Sequence, residues 1–323
     1  MNRLSRLLQF GRGLCLLLVA ACQNGQVDDL RSELASTKQA LAKSKAQLQH
    51  MQASYEETAS TLAERDARLS TLPGTLEVQV AFELDGAELE LDRGYPLGDG
   101  EISFGSLRYW FSNVSLHDTH GDRADIADSY YLMELHTVID DPKAEEPTYS
   151  LEKRDTITLQ NVPPGEYNQL SFNVGVDSEH NDDLSLPGGE LNVLNNMATA
   201  QWMWFTSYIF TSLWATYQAD PASDSPRIAL YWEAGGDEAL RRVAVQFDEP
   251  IQIGLDLQPK LRVGLNAARL FDDFSEKISH DAATSPAADQ PASLIGPSDT
   301  ESAQLSTNWQ CAFHQLTSGA GDK

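Results

Sequence analysis

Between Gln26 and Leu72 the chain carries neither glycine nor proline, and a leucine or tyrosine returns at every seventh position: Leu34, Leu41, Leu48, Tyr55, Leu62 and Leu69. A stretch without helix breakers, dense in Ala, Glu, Gln, Lys and Leu, folds as one long helix. A strict seven-residue repeat implies a left-handed supercoil, because a lone surface helix would follow a period of 3.6. The interleaved seam is mixed: Leu30, Thr37, Ser44, Met51, Thr58, Arg65 and Leu72. One strong seam and one mixed seam predict a coiled coil of modest stability, a homo-oligomer of two or three chains. The alternative is a single amphipathic helix folded back on the body. At ~1.5 Å per residue such a helix reaches on the order of 65 Å, the length of a spacer. His50 and Met51 sit on this stalk and read as structural.

The residues before the stalk form an address. Arg3, Arg6 and Arg12 precede an apolar run, Leu14 to Ala21, that ends in small residues and Cys22. A basic start, a short greasy core and a small-residue cleavage point make a secretory signal, too short to span a bilayer as a mature helix. Val19-Ala20-Ala21-Cys22 resembles the bacterial lipobox, which implies cleavage after residue 21 and lipidation of Cys22. The plainer reading leaves Cys22 as a bystander at an ordinary cleavage site. Gln23 stands where enterobacterial inner-membrane lipoproteins typically carry Asp, which points to the periplasmic face of the outer membrane. The chain thus divides into a signal peptide (1–21), a lipidated N-terminus with coiled-coil helix (22–73) and a body (75–316).

At Pro73-Gly74 the pattern changes period. Short segments rich in Val, Ile, Phe, Tyr and Leu follow, separated by Gly, Pro, Asp and Asn: 76–84, 102–116, 129–138, 156–162, 167–176, 202–213, 228–232, 243–247 and 251–265. Such spacing, with no long helical pattern between, predicts an all-β body, an antiparallel β-sandwich behind the α-helical stalk. Residues 272–307, rich in Ala, Ser, Pro and Asp, read as a loop or partly disordered insertion. Asn308 to Phe313 regains apolar character, as a last strand or short helix. With 23 basic and 48 acidic side chains the formal charge is 23 − 48 = −25. This surface repels nucleic acid and attracts cations or basic partners. Three cysteines, Cys15, Cys22 and Cys311, make neither a disulfide scaffold nor a four-thiolate zinc site. No nucleophile elbow, H-E-x-x-H, phosphate-cradling glycine loop or haem attachment motif occurs, so nothing argues for an enzyme.

Several stretches of the body, in order, resemble one family. They are Gly94-Tyr95; Leu107-Arg108-Tyr109-Trp110-Phe111-Ser112-Asn113-Val114-Ser115-Leu116; Ser129-Tyr130-Tyr131-Leu132; Pro164-Gly165-Glu166-Tyr167; and Leu170-Ser171-Phe172-Asn173-Val174-Gly175-Val176-Asp177. Most distinctive is Trp202-Met203-Trp204-Phe205-Thr206-Ser207-Tyr208-Ile209-Phe210, close to W-x-W-x-x-G-Y-x-F. Together they are similar to the MbnP-like periplasmic copper-binding domain. The resemblance implies a secreted copper-binding protein, in some members with a tryptophan oxidised to kynurenine by a partner dihaem enzyme; here Trp202 and Trp204 match that motif. Three features depart from the pattern. The four cysteines of many members are absent, the Asn-His pair stands reversed as His180-Asn181, and Tyr231-Trp232-Glu233-Ala234-Gly235 replaces a His-x-Gly segment. A domain that kept the scaffold and lost its ligands, serving as a structural or protein-interaction lipoprotein, is the rival reading.

Copper accepts imidazole, thioether and carboxylate ligands according to oxidation state. His180, among Asp177, Glu179, Asp182 and Asp183, is the leading ligand candidate; a solvated loop histidine is the alternative. His117 and His120 flank Asp118 in an expected hairpin tip, where two imidazoles three apart bind metal loosely or simply face solvent. His136 alternates with apolar neighbours and reads as a core or edge residue. By strand parity Trp202, Trp204, Thr206, Tyr208 and Phe210 share one face, opposite Met203, Phe205, Ser207, Ile209 and Thr211. Most of these rings read as core. The acidic runs lack calcium-loop spacing and read as solvated charge. Cys311 is either a buried thiol or one that pairs between chains.

Overall fold

The structure, a computed structural model, describes residues 4–139, 149–193, 197, 207–222, 227–274, 278, 293–295 and 300–316. It divides into two compact units, Met1–Arg68 and Leu69–Lys323. The first is helix α1 (Leu4–Leu69), which is solvent-exposed over its whole length from Gly25 and presents the leucine seam to water. One further turn, closed by the Leu72 N–H on the Leu69 carbonyl at 3.1 Å, leads to Pro73. Proline forbids the helix geometry of the residue before it, so the helix stops there. Among the described residues no helix is long and apolar enough to cross a membrane.

The second unit is mostly strand. In chain order it runs β1 (Gly74–Leu84), β2 (Ala87–Glu88), β3 (Gly94–Leu97), β4 (Gly100–Asp118), β5 (Arg123–Asp125), β6 (Tyr130–Ile139), β7 (Tyr149–Arg154), β8 (Thr156–Val162), β9 (Gly165–Val174), α2 (Ser178–Asp182), β10 (Ile209–Gln218), β11 (Arg227–Gly235), β12 (Arg241–Ile253), β13 (Lys260–Asn266), β14 (Ser293–Ile295), α3 (Thr300–Ala312) and β15 (Phe313–Gln315). One sheet has the order β15-β13-β1, with β8 and β2 along the far edge of β1; the other runs β12-β9-β4-β10-β11-β14, with β6, β3 and β5 along β4 and β7 beyond β6. All pairings are antiparallel except β1 with β13 and β11 with β14. The body is therefore the expected β-sandwich behind a helical stalk.

Alternation along β1 shows why: Leu76, Val78, Val80 and Phe82 are buried between the sheets while Glu77, Gln79 and Glu83 face outward. The opposing sheet contributes Phe104, Tyr109, Phe111, Phe172 and Trp232. Phe111 stacks on Phe172 with centroids 3.9 Å apart, and Trp232 meets Phe271 at 5.1 Å. Each such pair adds about 1 kcal/mol beyond its burial.

Three expectations are corrected. The single segment 251–265 is two strands, the end of β12 and β13, separated by a turn at residues 254–259. Residues 272–307 are not one loop: Phe274 and Ile278 are buried, Phe274 lies 5.9 Å from the Trp232 ring, β14 joins β11, and α3 begins at Thr300. Isolated apolar residues in polar sequence carry no period, so their anchoring was not readable. The alternation expected around Tyr208 also fails. A bulge between Ile209 and Thr211 brings Tyr208, Ile209 and Phe210 into one cluster and turns Thr211 the other way. The extra residue of a bulge breaks the two-residue period.

Candidate functional site

On the face of the larger sheet turned away from the core, a second apolar cluster forms around Trp110, Tyr130, Leu132, Val176, Met197, Tyr208 and Phe210. At its border stands His180, in the short helix α2. Asp177 is the N-cap of that helix, its Oδ1 accepting the His180 backbone N–H at 3.3 Å. The same Oδ1 lies 3.0 Å from His180 Nδ1, and Tyr130 Oη lies 2.9 Å from that nitrogen. Tyr130 Oη donates to Asp177 Oδ2 and accepts from Asn113 Nδ2 at 3.2 Å. Asn173 Nδ2 donates to Asn113 Oδ1 at 3.2 Å, and Ser112 Oγ lies 2.9 Å from that oxygen and donates to the Gly175 carbonyl at 2.6 Å.

The local sequence explains these placements. Asn113 sits where β4 slips register against β9 and holds φ +48°, a left-handed conformation asparagine tolerates better than most residues. The bend aims its amide at Tyr130. Asn181, beside His180, is buried and accepts the Tyr208 backbone N–H at 2.9 Å, tying the start of β10 to α2. Gly188 passes over the pair so closely that a Cβ there would stand 3.0 Å from the Tyr130 ring and 3.1 Å from the His180 ring.

The electrostatics follow from the hydrogen bonds. Burial would raise the Asp177 carboxyl, yet donors from Tyr130, His180 and Asn113 outweigh it and hold the group down at about 2. Burial, reinforced by the neighbouring Asp177 carboxylate, pushes the Tyr130 hydroxyl well above its usual range. Asp177 is thus an anion and Tyr130 a neutral donor, which leaves Nδ1–H as the arrangement of His180 that satisfies both acceptors. In the neutral ring the lone pair then sits on Nε2, which makes no hydrogen bond among the described residues; the side chain is 17% exposed. A carboxylate that orients an imidazole from behind is the outer-shell arrangement of metal-ligating histidines.

Beside the cluster a polar row crosses five strands in register: Arg154, Glu134, Arg108, Ser212 and Glu233. Arg108 donates from Nε at 2.8 Å and Nη2 at 2.5 Å to Glu134 Oε1. Arg154 clamps both oxygens of Glu190, whose Oε2 also accepts the Leu132 N–H at 3.0 Å. Between residues 189–192 and the sheet lies a cleft of about 700 Å3. Glu233 is buried, which raises its carboxyl despite Tyr231 and Arg108; burial and Glu233 push the Tyr231 hydroxyl up to about 12.

The remaining candidates lie elsewhere. His117 closes β4 opposite Arg123 of β5, and His120 is 84% exposed in the turn that Asp118 caps by accepting the His120 and Asp122 N–H groups at 2.8 and 2.9 Å. His136 lies 3.8 Å from Glu134 at the edge of the polar row. Cys311 is exposed rather than buried. Trp202 and Trp204 lie outside the described residues, and Cys22 lies on α1 where side chains are not described. Among the described residues no three His, Cys, Asp or Glu side chains converge as a metal group. Asp177, Tyr130, Asn113 and Asn173 are residues to which sequence reasoning gave no role in a site, although each lies in one of the family-like stretches and Asp177 stands three before His180.

Fold and site together define a β-sandwich domain that carries an oriented imidazole on its outer face. The MbnP family profile matches residues 73–289, and the chain belongs to that family. The solved structure of MbnP from Methylosinus trichosporium is similar at 21% identity and a TM-score of 0.40, over 61% of this chain and 77% of that one. No curated protein matches the chain.

Proposed function

We propose that this protein is a lipid-anchored envelope protein whose MbnP-like head captures copper, with His180 Nε2 as a ligand. The carrying observation is the doubly secured Nδ1 of His180, held by Asp177 and Tyr130 at 3.0 and 2.9 Å. Copper accepts a neutral imidazole, and the fixed tautomer supplies one without reorganisation. The donor set thus fits as far as one imidazole; Tyr208, four residues after Trp204 in sequence, is tied to the same helix. The acidic surface, formal charge −25, favours cations electrostatically. The family resemblance adds copper and, at Trp202 or Trp204, kynurenine formed by a dihaem partner. The basic start, apolar run and Cys22 support anchoring at the periplasmic face of the outer membrane.

Copper loading followed by elemental analysis tests the reading. The unmutated protein should retain copper, and His180→Ala should lose most of it. No copper above background in the unmutated protein overturns the reading and leaves the interaction lipoprotein. Mass spectrometry of the peptide holding Trp202 and Trp204 should show a gain of two oxygens and loss of CO if one is oxidised. Palmitate labelling that survives Cys22→Ser would remove the anchor.

A further inference from the structure

We propose that α1 pairs with α1 of a second copy of this chain as a parallel, in-register, two-stranded coiled coil. The seam residues Leu34, Leu41, Leu48, Tyr55 and Leu62 are between 54% and 76% exposed among the described residues, and Leu69, which borders a cleft with Leu255 and Leu257, is still 41% exposed. Leu30, Met51 and Leu72 of the interleaved seam are exposed as well. A row of large apolar side chains on one stripe, repeated every seven residues, is complementary to itself and to little else. The stripe is narrow, because Thr37, Ser44, Thr58 and Arg65 fill most of the second seam, and a narrow stripe suits two strands better than three.

Orientation follows from the layers and the charges. With Leu34 at the first core position of its heptad, Glu33 and Lys38 flank the seam at the two charged positions, and in a parallel pair Glu33 of one copy faces Lys38 of the other. Parallel register also stacks five Leu layers and one Tyr layer without dilution, whereas an antiparallel pair sets each of those residues against the mixed seam. The anchor proposed at Cys22 would hold both amino ends at one membrane; this support alone rests on that reading. Arg65 meets Arg65 of the second copy and weakens the pair. Association is therefore concentration-dependent, and crowding on a membrane favours it.

Sedimentation equilibrium of the full chain in detergent micelles reads the stoichiometry. The protein mass should approach twice that of one processed chain as concentration rises. Leu41→Glu with Leu48→Glu should return one chain, with the strand signal in circular dichroism unchanged. Orientation is read by oxidative cross-linking in a Cys311→Ser background, which itself sets the baseline. Leu34→Cys should give a linked dimer well above that baseline, and Ala53→Cys, on the outer face, should not. In an antiparallel pair two residues at position 34 would lie on the order of 45 Å apart. A single-chain mass at every concentration, a three-chain mass, or linkage seen only on mixing Leu34→Cys with Arg65→Cys protein overturns the proposal. None of these outcomes depends on copper.

Discussion

Asp177 does three things with one carboxylate: it caps α2, accepts the Tyr130 hydroxyl and fixes His180 Nδ1. Its folded value is depressed from 3.8 to about 2, so the stability it contributes is present above pH ~4 and lost as pH falls toward 2. Discounted for solvent screening, that contribution is about 1–2 kcal/mol. Asp177→Asn should lower the thermal midpoint at pH 7 and flatten the acid limb of an urea-unfolding series between pH 4 and 2; an unchanged acid limb would contradict the assignment. Loss of an orienting partner typically weakens a metal site 10–100-fold, so on the proposed copper reading the same variant should bind copper about that much less tightly in a competition titration. Glu233 has the opposite sign. Burial raises its carboxyl, so the cost of its charged form builds up as pH rises from the ordinary carboxylate value to the raised one and is fully present above that. Glu233→Gln should match its parent near pH 4 and melt higher than it at pH 7. His180 was legible because it is a rare residue type among acids in a family motif. Its partners were not: Asn113, Tyr130 and Asn173 are ordinary polar residues in strands, and only the β4–β6 and β4–β9 registers bring them together.

At the scale of elements, the strands that obey simple alternation were readable and those with bulges were not. β1 alternates without interruption, and its inward set follows directly from its sequence. In β10 the bulge at Phe210 defeats parity, and the strand runs on to Gln218, past the expected end at Leu213. The bulge meets a second irregularity across the cluster. Gly175, at the end of β9, adopts φ +116°, and a Cβ there would stand 2.4 Å from the Phe210 ring. Its N–H donates to the Trp110 carbonyl at 3.0 Å and its carbonyl receives Ser112 Oγ. Both the backbone angle and the ring contact forbid a side chain, each at about 1–3 kcal/mol. Gly175→Ala should therefore destabilise the head by about 2–4 kcal/mol in chemical denaturation. No loss, or the gain of about 0.4–1 kcal/mol that Gly→Ala gives at a compatible backbone angle, would show that the turn relaxes freely.

For the molecule as a whole, the question is what closes the sandwich at the end where β1 and β13 leave the aromatic core open. The family match ends at residue 289, yet α3 and β15 lie beyond it and seal the core. Trp309 is 0% exposed, with its ring 5.1 Å from Tyr109. Phe313 touches Tyr109 at 5.7 Å and Phe172 at 5.0 Å, while β15 adds itself to the edge of β13. Asn308 Nδ2 locks the helix to the carbonyls of Leu270 and Asp272 at 3.1 and 2.7 Å. The sequence showed renewed apolar character at 308–313 but not that one ring bridges both sheets, since nothing local encodes a contact with a residue 200 positions earlier. Large-to-small replacement of a buried Trp costs about 3–5 kcal/mol, and in a domain of this size each kcal/mol shifts the melting temperature by about 2–4 °C. Trp309→Ala should thus lower the midpoint by roughly 10 °C. Trp309→Phe should cost much less, because the indole N–H has no acceptor among the described residues and the lost volume is small. If Trp309→Ala instead melts within about 2 °C of its parent, the closing helix is an appendage and the core is complete without it.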